Sequence, residues 1–143
     1  MAVYHDEMLD LFLRDSGLPY LHSVLPGHTR VRVSVLGTLL GAAAHHVAFR
    51  RVEYYYFGFD RIGVTLRQHE NGAFFGPVVR LPWGELSRVR FAHGPLETRF
   101  SFRYRGEDFH MMLLRRMAGQ PWVGENWGEL RERGFFCPDT SRE

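Results

Sequence analysis

Histidine is the side chain here best suited to acid–base or metal chemistry, and there are eight: His5, His22, His28, His45, His46, His69, His93 and His110. Imidazole titrates near neutrality and is a common transition-metal ligand. The spacing argues against a shared centre. Only His45 and His46 are adjacent, neighbouring imidazoles chelate one ion poorly, and no HExxH, HxxxH or Cys/His ligand pattern occurs. Nucleophilic catalysis has no firmer footing, because there is no G-x-S-x-G turn and no phosphate-cradling glycine loop. The single cysteine, Cys137, lies beside Pro138 near the end of the sequence. These residues predict no catalytic group, no metal and no cofactor, with a small hydrolase as the enzymatic alternative.

Recognition is the other chemistry on offer. All 18 basic residues are arginine, although the formal net charge is only +2. Arg88, Arg90, Arg99, Arg103 and Arg105 alternate with Val89, Phe91, Phe100, Phe102 and Tyr104, the two-residue period of a half-buried strand. Such a face either docks an anionic partner or is a solvated surface neutralised by Glu85, Glu97, Glu107 and Asp108. A second candidate is the run Tyr54-Tyr55-Tyr56-Phe57, whose alternation leaves one aromatic pair outside the core. Exposure of Tyr55 and Phe57 would make an interface; a covering helix would remove it. Trp83 and Trp122 each follow a proline and could anchor a partner or plug the ends of a small core.

The elements that must position these residues are mostly strands. At 143 residues the chain is long enough for one domain with a sizeable core, and its 15% aromatic content, including twelve Phe, favours β structure. An amphipathic N-terminal helix is expected from Tyr4, Met8, Leu11, Phe12 and Asp15, stopped at Ser16-Gly17. Leu25-Pro26-Gly27 reads as a turn, followed by a strand through Arg30–Val35, a small-residue segment at Gly37–Ala44, and strands at Val52–Phe59 and Ile62–Gln68. Asp60-Arg61 and Asn71-Gly72 mark hairpin corners. Val78–Leu114 then reads as a four-stranded meander. After Pro121 the period becomes helical, with Val123, Trp127 and Leu130 on one face.

Val33–Phe49 is apolar but slightly short for a bilayer span and carries two histidines, so a buried segment is expected there. A lone cysteine excludes an intramolecular disulfide, and no signal-peptide pattern opens the sequence. A cytoplasmic location follows as the expectation.

Three phrases resemble a known family. YYYFGFDRIGVTLRQ, VVRLPWGELSRVRF and the ending GQPWVGENWGELRERG are similar to hairpin, strand and terminal-helix phrases of bacterial pleckstrin-homology-like (PH-like) domains. The resemblance implies an α+β, mainly β fold: one seven-stranded antiparallel barrel or sandwich capped by a C-terminal helix, here with an additional N-terminal helix. Residues 1–24 would form that helix and connector, 25–137 the PH-like domain and 138–143 a disordered tail. It also implies a binding or assembly module without chemistry of its own. Eukaryotic relatives hold inositol phosphates between their first two strands, where this sequence has GTLLGAAAHHVAFRR with only Arg50 and Arg51 to serve, so that ligand is not expected. The function expected is protein binding or self-association through sheet faces, with homo-oligomers as one form. Arginine-mediated binding of nucleic acid or anionic lipid is the alternative.

Overall fold

The computed structural model describes residues 6–18, 23–29, 52–74 and 76–135. The expected strand at Arg30–Val35, the segments Gly37–Ala44 and Val33–Phe49, His45, His46, Cys137 and the tail 138–143 lie outside the described residues.

The chain is mainly β: eight strands and two helices among the described residues. Helix α1 (Asp6–Ser16) turns Met8, Leu9 and Phe12 to one side. It ends where Gly17 adopts φ +69°, with Gly17 N–H donating to Arg14 O and Leu18 N–H to Leu13 O. This left-handed stop satisfies the terminal carbonyls and tucks Leu18 under the helix. The strands are β1 (Val24–Thr29), β2 (Tyr54–Phe59), β3 (Gly63–Glu70), β4 (Ala73–Phe74) and β5 (Val79–Pro82). A 3-10 turn at Trp83–Glu85 leads into β6 (Leu86–His93), β7 (Glu97–Tyr104), β8 (Glu107–Leu114) and helix α2 (Pro121–Glu132).

Pairing runs β4-β3-β2-β1-β8-β7-β6, all antiparallel, with β5 hydrogen-bonded to β3. Among the described residues the sheet is an open path and not a closed barrel. Two expectations are corrected. Leu25-Pro26-Gly27 is not a turn but the middle of β1, paired with β2 on one side and, through Gly27, with β8 on the other. A side chain at Gly27 would meet the Met112 carbonyl oxygen and the Phe57 ring, so glycine here reflects close approach and not chain reversal. The Val78–Leu114 meander also breaks: β5 leaves it to pair with β3, and only β6, β7 and β8 are consecutive neighbours.

The corners follow their sequences. Asp60 Oδ1 accepts from the backbone N–H of Ile62 and Gly63, closing the β2–β3 hairpin. Asn71-Gly72 and Arg105-Gly106 are two-residue turns with positive φ at both positions, the twist that matches flanking strands.

Two cores lie on opposite faces of the sheet. The inner one gathers Leu25, Tyr55, Phe57, Phe59, Leu66, Leu81, Phe91, Phe100, Phe102, Met111 and Leu113 with Val123, Trp127 and Leu130 of α2. Phe59 of β2 packs edge-to-face on Phe91 of β6 and Phe100 of β7 at ring separations of 6.4 and 5.8 Å, so the two ends of the sheet fold toward each other. The outer core joins Met8, Leu9, Phe12 and Leu18 to Val24 and Tyr56. β2 is therefore buried on both faces, which is why it reads as the unbroken apolar run YYYFGF. Asn126 of α2 is fully buried and donates to Val24 O at 2.8 Å, fastening α2 to β1.

Candidate functional site

On the outer side of β6–β8, β7 alternates without interruption: Thr98, Phe100, Phe102 and Tyr104 are buried, and Glu97, Arg99, Ser101 and Arg103 face out. β8 matches it with Asp108, His110 and Met112 outward, opposite Arg103, Ser101 and Arg99 respectively. β6 adds Arg90 opposite Ser101 and Ala92 opposite Arg99. Arg90 thus lies diagonal to both Arg99 and Arg103 on one surface, close enough for like charges to interact.

Arg88 does not belong to this row. The register shifts between Ser87 and Arg90, and Arg88 adopts φ +54°, so two residues of β6 stand against one of β7. Such a bulge takes its residue out of the alternation and twists the edge. Arg105 is likewise displaced, sitting in the β7–β8 turn with its guanidinium 5.0 Å over the Tyr104 ring. Of five arginines expected on one face, the structure brings together Arg90, Arg99 and Arg103.

The acids expected to neutralise them are mostly engaged elsewhere or apart. Asp108 lies 3.8 Å from Arg103, whose Nη2 also donates to Gly106 O at 3.3 Å. Glu97 instead takes His28 Nε2 at 2.7 Å. Among the described residues, the side chains of Arg90 and Arg99 make no hydrogen bond or ion pair, and neither do those of Glu85 and Glu107. Two guanidinium groups therefore stand without side-chain partners on a hydrogen-bonded strand pair.

The aromatic candidates are corrected. Tyr55 and Phe57 are fully buried in the inner core, and Tyr55 Oη donates to Glu53 Oε1 at 2.8 Å. The pair on the other face, Tyr54 and Tyr56, lies on the side of β2 that α1 overlies, and Tyr56 is fully buried there. The helix covers Tyr56, with Tyr54 partly buried beside it, so the expected exposure of Tyr55 and Phe57 is replaced by burial on both faces. Trp83 is partly buried, stacks on Phe59 and donates its indole N–H to Asp60 O at 2.7 Å. Trp122 is partly buried against Tyr56 and donates to Gln120 Oε1 at 2.8 Å. Both indoles serve the fold.

The histidines are similarly absorbed. His28 is held between Thr29 O and Glu97. His69 is enclosed by Tyr54, Tyr56 and Phe74, and burial lowers its pKa to about 4. His93 accepts from or donates to Thr98 Oγ1 at 2.9 Å and packs edge-on against Trp127. Burial, and then the charges of Arg115 and Arg131, lower its pKa. Among the described residues no three His, Cys, Asp or Glu side chains cluster as a metal site, and no helix is long and apolar enough to cross a membrane.

His110, weighed from sequence only for metal or acid–base chemistry, and Met112 join this face, because the alternation of EDFHMMLL places them on the same side as Arg99 and Arg103. Together these features define a mainly β protein with an arginine-bearing sheet face and a helix-roofed one. No protein-family model, curated protein or solved structure matches the chain.

Proposed function

We propose that this chain is a non-enzymatic, PH-like binding module whose outer β6–β8 face docks an acidic protein surface. The observation that carries the reading is the pair Arg90 and Arg99, presented by the paired strands β6 and β7 and without ion-pair partners among the described residues. Holding such charges together is unfavourable unless an anionic group neutralises them. The PH-like part is supported by the pairing of β1 with both β2 and β8 and by a C-terminal helix packed into the inner core. The non-enzymatic part is supported by the histidines of the fold, since His28, His69 and His93 are engaged in structural contacts.

A protein partner is favoured over single-stranded nucleic acid because the outward residues of this face include Arg90, Ala92, Glu97, Arg99, Ser101, Arg103, Asp108, His110 and Met112. His110 is the one aromatic ring among them, a single imidazole without the Phe, Tyr or Trp platforms on which successive bases stack. The test compares the wild type with Arg90→Glu/Arg99→Glu for binding of an acidic polypeptide, an oligonucleotide and anionic vesicles across a salt series. Salt-sensitive binding of the polypeptide, lost in the variant, is expected. Equal binding by wild type and variant overturns the docking face, and preference for the oligonucleotide or vesicles overturns the partner class.

A further inference from the structure

Resting on that docking reading, we infer that the acidic surface met by the β6–β8 face is helix α1 of a second copy of this chain. α1 lays Met8, Leu9 and Phe12 on the sheet and leaves Glu7 and Asp10 exposed. Asp15 is taken by Arg67 at 3.1 Å, but Glu7 and Asp10 have no ion-pair partner among the described residues. The solvent side of the first two turns of α1 thus carries carboxylates as partnerless as Arg90 and Arg99.

The two surfaces are complementary and cannot meet within one molecule. α1 covers the outer face of β1–β3, whereas the arginines occupy the outer face of β6–β8. Because Phe59 packs on Phe91 and Phe100, those two portions of sheet turn their inner faces to each other and their outer faces away. The carboxylates and guanidinium groups therefore look in opposing directions, and their pairing requires another copy. A contact between two different patches is head-to-tail, so a pair retains one free patch of each sign, one on each copy, and assembly continues into rings or chains. The patches are small and charged, which makes the association weak and salt-dependent.

The head-to-tail geometry has a signature that a symmetric dimer lacks. Arg90→Gln/Arg99→Gln removes one patch and Glu7→Gln/Asp10→Asn the other, each without adding opposite charge. Sedimentation velocity over a protein concentration series at low salt is expected to show wild-type species growing with concentration and returning to monomer at high salt. Each variant alone is expected to stay monomeric, and their equimolar mixture to stop at a one-to-one pair. A monomeric wild type at all concentrations, or assembly that survives in either variant, overturns the inference. Binding of a separate acidic polypeptide, measured on the same samples, keeps the two ideas apart. Arginine-dependent peptide binding by a monomeric wild type sinks self-docking alone, while loss of arginine dependence sinks the docking face as well. Circular dichroism and melting of both variants must match the wild type, and Glu7→Ala/Asp10→Ala repeats the test with residues of stronger helix propensity.

Discussion

Trp127 donates its indole N–H to Thr98 Oγ1 at 3.0 Å, joining α2 to β7. The same hydroxyl meets His93 Nδ1, and Arg115 lies 4.0 Å over the indole while donating to Gly94 O. The ring is thereby sandwiched between core and cation. Trp127→Ala is expected to cost about 3–5 kcal/mol of stability, and Trp127→Phe, which keeps a ring but loses the N–H, nearer 1–2 kcal/mol. Urea unfolding measures both; equal midpoints for wild type and Trp127→Ala would contradict the placement of α2 in the core.

His69 makes stability depend on pH. Its pKa is lowered from 6.5 to about 4, so between those values the unfolded chain binds more protons than the folded one. Stability is full above pH 6.5 and declines as pH falls toward 4, by about 3 kcal/mol at the acid end. His93 is shifted in the same direction and adds to the slope. His69→Phe is expected to flatten most of this dependence in urea titrations repeated at stepped pH. An unchanged slope would place the acid-sensitive group elsewhere.

Thr65 offers an opposite sign of effect. Its Oγ1 is buried with no hydrogen-bond partner among the described residues. A buried hydroxyl left unsatisfied forfeits its hydration without return. Thr65→Val keeps the β-branched shape and is expected to raise stability by about 1 kcal/mol, read as an upward shift of the melting midpoint. A downward shift would show that the hydroxyl is bonded.

Gly27→Ala tests the strand that sequence patterning mistook for a turn. The new methyl group would press on the Met112 carbonyl oxygen and the Phe57 ring. Backbone cannot yield as a side-chain tip can, so a loss of about 1–3 kcal/mol is expected. Hydrogen exchange should rise first at the β1–β8 seam. Wild-type protection there would mean the strands are not paired through Gly27.

Much of the architecture was legible because local chemistry decides it. Asn71-Gly72 dictates its turn, the alternation in Glu97–Tyr104 assigns its two faces, and Val123, Trp127 and Leu130 mark the buried side of α2. What escaped depends on partners distant in sequence. Nothing local tells β5 to pair with β3, nor marks the bulge at Arg88 that removes it from the arginine row. Tyr54–Phe59 could not reveal which face was core, because both are, the second only through α1. The arginine-bearing face was legible in Arg90, Arg99 and Arg103, whereas the engagement of Glu97 by His28, a residue 69 positions away, was not.

The double pairing of β1 also sets an order of events during synthesis. β2 reaches one edge of β1 early, but the residues that complete its other edge, Met111 to Leu113, emerge near the end of the described chain. Until then the backbone groups of β1 that face β8 await their partners beside a strand already rich in aromatics, a template for pairing with another nascent chain. The β6–β7–β8 meander, built from short-range hairpins, can form as a unit and dock last. Translation that stalls between β1 and β8 is therefore the point at which this protein is most exposed to aggregation.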